Sequence, residues 1–507
     1  MKKKFQLIPV VLALLMVLTL LAGCGDQNLP EETESGSETV TNGGNTQEID
    51  EAEAYKPVAE DFGGYVYKIL ASSNGATDHE FFYCTEQSMD TNYVSASLYA
   101  RQQLLERELN VATEFTLDSD YMDTITVSAQ VGDPLCDVIR VKSSDLSKLA
   151  LRGALVNLLD QDAFNLDASY WDQRLIDEYR IDNILFALGG EIDTNDDMQT
   201  LVVMFNEKLW SDYGLTAEYG TAYQMVESMN WTYETMFEMT KGLGLDRNSD
   251  GKMDERDTYG MVTETYAPYY FFLGSGMKIL NNQQGGLTYA LSDSATYSQM
   301  YNALEELMQM SNTDDIMMAN DGKSVSEGSV WTAGANVFHN DGALFRTTTL
   351  SAVGRHYDMV SNYSLLPIPA STEDQDGYYC WVSAGFNALG IYRYVDDTNL
   401  TARITEFLAY YSLYGTYTLH DAFYGDLATQ RLCRNDDAYK MLDLIFSSKT
   451  YDVDSVFGIT GIGDAYANLI AKDNYTALSS TLESLADSAE LKLSHYVQQI
   501  RIMFAQS

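Results

Sequence analysis

Apolar and polar positions alternate along this chain in three regimes. The first is a block: Lys2, Lys3 and Lys4 precede an apolar run over 7–21 that only Pro9 and Thr19 interrupt. It is too short and too one-sided for a permanent membrane span and has the length of a signal-peptide core. It ends in Leu21-Ala22-Gly23-Cys24, a lipobox, so 1–23 reads as a cleaved signal segment and Cys24 as the lipidated residue. The second regime, 24–60, is polar and acidic with Lys56 as its sole base. Such a stretch buries too little surface to offset its chain entropy, so a disordered tether is expected. The third regime begins near Tyr65. Short apolar runs at 65–70, 137–141, 201–205 and 259–262 read as strands, and helical spacing marks 96–110, 144–151, 207–213 and 231–243. Strands alternating with helices predict an α/β fold with largely parallel sheets, and helical patterns dominate after about Asp436.

The chain has 507 residues, more than one ordinary core accommodates, which points to two lobes. Acidic residues outnumber basic ones 74 to 31, a formal net charge of −43. A surface of that sign repels nucleic acid and anionic lipid, so neither is an expected partner. With so many carboxylates, no chosen pair of acids argues for catalysis. Besides Cys24, the cysteines are Cys84, Cys136, Cys380 and Cys433, too widely spaced for a metal knuckle. They could pair in three ways or stay as buried thiols, and the spacing does not choose.

Several local patterns occur in a telling order. They are Met204-Phe205-Asn206-Glu207-Lys208-Leu209 followed by Gly214-Leu215, then Asn230-Trp231-Thr232-Tyr233-Glu234, then Phe338-His339-Asn340-Asp341-Gly342-Ala343-Leu344-Phe345. Leu366-Pro367-Ile368-Pro369 and Val382-Ser383-Ala384-Gly385-Phe386-Asn387-Ala388 complete the series. From Tyr65 to the C-terminus the chain thereby resembles the family 1 extracellular solute-binding proteins, the group that includes maltose-binding protein. It departs from that pattern at Phe205, where a Tyr is usual, and at Arg346-Thr347-Thr348-Thr349, where many sugar binders carry a Trp.

The resemblance implies a two-lobe, periplasmic-binding-protein-like fold of type II with a hinge crossed more than once. Lobe 1 is expected over 61–195 and 376–430, lobe 2 over 196–375 and 431–507. The crossings are expected near 193–200 and 371–378, and hinge closure traps ligand without catalysis. It further implies a monomer that hands a small solute to separate ABC permease subunits, and the lipobox places that monomer on the extracytoplasmic face of the cell membrane, held by its lipid alone. A sugar or oligosaccharide is the expected cargo, with a peptide or other polar solute as the rival.

A sugar site needs aromatic faces and a polar rim. The candidate aromatics are Tyr269 first, then Tyr270, with Trp331, Tyr379 and Trp381 behind them. Asn74 and Asp145 follow the first strands, where open α/β sheets gather ligands. Gln199 corresponds, by the resemblance, to a hinge-proximal acidic residue. A further motif stands apart. Asp246, Asn248, Asp250, Asp254 and Asp257 fall at EF-hand loop positions 1, 3, 5, 9 and 12, with Gly251 at the sharp turn and Lys252 offering its carbonyl. A structural calcium ion is expected there. No catalytic set emerges: the five histidines have no ligand spacing, and Gly274-Ser275-Gly276 is too short for a nucleophile elbow. The enzyme-class alternative is a surface glycoside hydrolase, which needs two carboxylates across a cleft.

Overall fold

In a computed structural model, the structure describes residues 51–73, 80 and 82–505. The expected signal segment, Cys24, most of the tether and Asn74 lie outside the described residues. The strands, in chain order, are β1 (Tyr65–Ser72), β2 (Val111–Asp118), β3 (Val138–Lys142), β4 (Leu201–Asn206) and β5 (Tyr259–Thr263). A hairpin, β6 (Leu280–Gln283) with β7 (Gly286–Tyr289), follows. Then come β8 (Ile316–Met318), β9 (Ala343–Thr349), β10 (Tyr363–Leu366), β11 (Cys380–Trp381), β12 (Asn387–Ile391) and β13 (Lys449–Thr450).

Two main sheets result, ordered β12-β3-β1-β2 and β10-β4-β9-β5-β8. This is the two-lobe α/β fold. The first sheet is built locally. Asn92 accepts from the Ser95 amide to start the helix Tyr93–Leu109, and Asn110 ends it in the left-handed region at φ 53°, turning the chain straight into β2. In the second sheet all residues of β4 and β5 are buried, so these strands read as unbroken apolar runs rather than alternating ones.

The sheets are mixed, which corrects the expectation of largely parallel ones. β1 pairs parallel with β2 and β3, and β5 parallel with β8 and β9, but β12, β4 and β10 all join antiparallel. The physical reason is direction of entry. β4 and β12 follow directly on chain crossings, so they start at the edge where the parallel strands end and run the opposite way.

Three crossing segments lie side by side. The Thr200 and Val382 backbones form an antiparallel bridge, and β11 pairs parallel with β13. The Ser383 amide donates to the Gln199 carbonyl at 3.0 Å, and the Val382 amide to the Thr450 carbonyl at 2.9 Å. The second crossing thus falls at 380–383, a little beyond the expected 371–378, and a third falls at 448–452. The C-terminal segment also packs against elements of both halves of the fold. The helix Asp436–Ser447 packs on β10, whereas Leu478–Phe504 packs on the helix Ser143–Leu151, with Tyr496 and Ser147 hydroxyls 3.0 Å apart. Cys84, Cys136, Cys380 and Cys433 are buried free thiols.

A buried ionic node ties the crossings together. Lys449 of β13 lies 2.8 Å from Asp196, 2.8 Å from Asp197 and 3.0 Å from Asp172, all buried. Tyr424 donates to Asp197 at 2.7 Å, and the Tyr451 hydroxyl lies 2.9 Å from Asp196. Burial, added to the neighbouring Asp197 and Asp172 charges, lifts the Asp196 carboxyl to about 6 in spite of Lys449. Removing the cation would leave three carboxylates in a dry site. Lys449→Met should therefore cost about 3–5 kcal/mol in denaturant unfolding. Asp196 behaves oppositely. A carboxyl raised in the folded state contributes stability that is present below its unfolded value and is lost as pH rises through about 6. Asp196→Asn should thus flatten the fall in melting temperature between pH 4 and pH 6. If the decline keeps its slope in the variant, the assignment to Asp196 fails.

Candidate functional site

Parallel strands β5, β8 and β9 deliver their C-terminal ends to one edge of the second sheet, the place where open α/β sheets hold ligands. A cavity of about 380 Å³ opens there. Its floor comes from the strand ends: Thr263 at the end of β5 and Glu264 just beyond it, Ala319 after β8, and Arg346 to Thr349 on β9. The helix Val330–His339 forms one wall. It approaches closely because position 334 is glycine, where an added Cβ would meet the Ala319 Cβ at 3.1 Å and the Val262 Cγ1 at 3.2 Å. Ser383, arriving on the second crossing, lines the hinge side. Among the described residues, the four-stranded sheet contributes none of the lining.

Arg346 is the central polar group. It is 8% exposed, and its Nη1 lies 2.7 Å from the His356 Nε2. Burial, then the adjacent Arg355, brings its guanidinium down to about 10, with Glu264 opposing. Burial, then Arg346, drives His356 down to about 3, so this ring is neutral and accepts from Arg346 through Nε2. Burial raises the Glu264 carboxyl, while the Tyr270 hydroxyl, donating at 2.5 Å, and Arg346 pull it back. The Thr263 and Thr347 hydroxyls are hydrogen-bonded to each other.

The expected site residues separate clearly. Tyr270 and Trp331 line the cavity, Trp331 with 56% of its surface exposed. Trp381 stands one layer back, its ring 5.1 Å from that of Tyr270 and its buried Nε1 without a hydrogen-bond partner. Gln199 is half-buried on the crossing, its carbonyl holding Ser383. Three expectations are corrected. Tyr269, the first-ranked aromatic, is fully buried against Tyr266, Phe272 and Tyr466, because the helix Ala267–Gly274 turns consecutive side chains to different faces. Tyr379 packs over Gly276 and donates to Asp376, away from the cavity. Asp145 serves its own helix, accepting from Lys148 at 2.7 Å and from Tyr121 at 2.5 Å. Glu264, Arg346, Thr347 and Arg355 were missed as site residues. The run Arg346–Thr349, polar where an apolar strand should continue, was the available signal.

The loop at 246–257 turns sharply at its glycine. Gly251 has φ 81°, and its amide donates to Asp246 at 2.9 Å. The Arg247 and Asp254 amides both donate to Asp257 at 2.9 Å. Arg256 pairs with Asp250 and Asp254, and the buried Asp246 Oδ1 has no partner. Among the described residues no three acidic, histidine or cysteine side chains converge closely enough to hold a metal ion.

With the geometry established, the solved structures supply the fold comparison. The chain is similar to a cyclo/maltodextrin-binding protein complexed with maltotetraose, at 11% identity and TM-score 0.54, covering 83% of this chain and 97% of that one. A sugar transporter from Rhizobium etli in an open conformation matches at 13% identity and TM-score 0.52, over 84% and 99%. An ABC substrate-binding protein from Listeria monocytogenes in complex with cycloalternan matches at 12% and 0.50, over 84% and 98%. At such identities the likeness is one of fold. No protein-family model and no curated protein matches the sequence.

The correction at Tyr269 is directly testable. Its hydroxyl is buried and makes no hydrogen bond of good geometry, with only a weak interaction to Ser455, so Tyr269→Phe should leave unfolding free energy within about 1 kcal/mol of the parent or raise it. A marked loss of stability would show that the hydroxyl is paired after all.

Proposed function

We propose that the chain is an extracytoplasmic solute-binding protein that captures a sugar or oligosaccharide for an ABC importer. The observation that carries this reading is the cavity at the ends of β5, β8 and β9, with an exposed Trp331 at its wall, hydroxyl-rich strand ends and the hinge segment Ser383 alongside. An indole face offers stacking to a sugar ring, and threonine hydroxyls suit its polar edges. The fold neighbours named above, which bind maltotetraose and cycloalternan, support the same class of solute. Binding without turnover fits the lining: Glu264 is its sole carboxylate among the described residues, and a glycoside hydrolase needs two.

Delivery to a permease, a monomeric state and anchoring through Cys24 belong to this proposal. Among the described residues no helix is long and apolar enough to cross a membrane, and the lipobox supports attachment by lipid. Structural calcium in the 246–257 loop is likewise proposed. The unpartnered Asp246 oxygen supports it, and binding would require Arg256 to release Asp250 and Asp254.

Titration calorimetry against neutral, acidic and sulfated glycans and short peptides tests the principal reading. A saccharide should bind and be recovered unchanged, and Trp331→Ala should weaken it roughly tenfold with the melting temperature intact. Binding of peptides alone would overturn the sugar assignment, and consumption of the glycan would favour the hydrolase. For the loop, about 1 mM free calcium should raise the melting temperature, and Asp246→Ala should abolish the shift. An unresponsive parent protein would end the calcium proposal.

A further inference from the structure

The charge at the cavity is opposite to that of the chain as a whole. Acidic residues outnumber basic ones 74 to 31, yet Arg346 and Arg355 both line this cavity. Among the described residues neither makes an ion pair, and Arg434 stands close enough for its charge to act on the same His356. Arg434 is engaged by main-chain oxygens, donating to the carbonyls of His356 and Tyr357 at 3.0 and 3.1 Å, so it adds positive field without being neutralised.

A buried guanidinium without a counter-ion is costly, and proteins seldom keep one that has nothing to bind. Among the described residues the Arg346 side chain hydrogen-bonds to a neutral imidazole, which orients the fork without cancelling its charge. Glu264 offsets the charge only in part. Its carboxyl accepts from Tyr270, and burial favours its protonated form. Arg355 is exposed at the rim, able to swing toward a ligand. Two arginines within each other's field, one fixed and one free, suit a single oxyanion, which a guanidinium can grip through paired N–H donors.

We propose that the solute is an anionic saccharide, its carboxylate or sulfate ester held between Arg346 and Arg355 while a sugar ring lies on Trp331. This rests on the reading of the cavity as a sugar site and names the class of sugar. An acidic protein surface would slow the approach of such a ligand from afar, so discrimination is exercised inside the cavity, where the local field is reversed.

Calorimetry on the full chain with three probes decides the matter: oligogalacturonides, the same oligosaccharides with their carboxyls reduced to alcohols, and sulfated disaccharides. An acidic saccharide should bind at least about tenfold more tightly than its neutral counterpart. Preference between the first and third probes assigns carboxylate or sulfate. Arg355→Met, at an exposed position, should remove most of that preference without changing the melting temperature, and Arg346→Lys should weaken binding while keeping a charge. Equal binding of acidic and reduced probes, unaltered in Arg355→Met, would overturn the anionic assignment and leave the sugar reading standing. No binding of any saccharide, neutral ones included, would overturn both.

Discussion

Lys449 holds three carboxylates that lie far from it along the chain, and the arrangement of both sheets depends on that node. Asp172 precedes the first crossing, Asp196 and Asp197 lie within it, and Lys449 belongs to the third. A charge buried this deeply tolerates no alternative geometry, since each ion is stable only while the others stay in place. The same crossing is fixed on its other side. Asp193 binds Arg140 of β3 at 2.6 Å, and the Asn195 Oδ1 accepts from the Asn387 amide of β12 at 2.6 Å. A short polar run, 193–197, is thereby clamped to the first sheet and to β13 at once, and β4 begins within four residues of it.

That clamp determines where the candidate site sits. β4 starts at the crossing, so its first residue pairs with Thr349 at the end of β9, and the polar run 346–349 is brought to the hinge edge of the sheet. The second crossing then lays Ser383 across the same edge. The cavity thereby meets the crossing directly, since Ser383 in its lining is one hydrogen bond from Gln199.

Much of the local architecture was legible in the residues. The strands at 65–70, 201–205 and 259–262 and the helices at 144–151 and 207–213 follow from apolar spacing and match the observed elements closely. Within the candidate site, Tyr270 and Trp331 were singled out from the sequence as aromatics near strand ends, although both stand on helices, Ala267–Gly274 and Val330–His339, rather than in loops. Tyr269 was not distinguishable from its neighbour: adjacent helical residues differ in direction by about 100°, and only packing against Tyr466 and Phe272 decides which one faces inward.

The sequence by itself determined the apolar run over 7–21, the acidic character of the chain, the α/β succession of elements and the turn at Gly251. Each of these is a local property, set by composition, period or a single backbone preference. Tertiary structure alone decided strand direction, the identity of the cavity residues and the burial of 193–197, a polar run expected only to carry a crossing. The reason is the same in each case. Whether a carboxylate or a guanidinium belongs inside depends on the partner that meets it, and Lys449 meets Asp196 across 253 positions of chain. No local pattern carries that information, because the compensating charge exists only once the fold has brought it there.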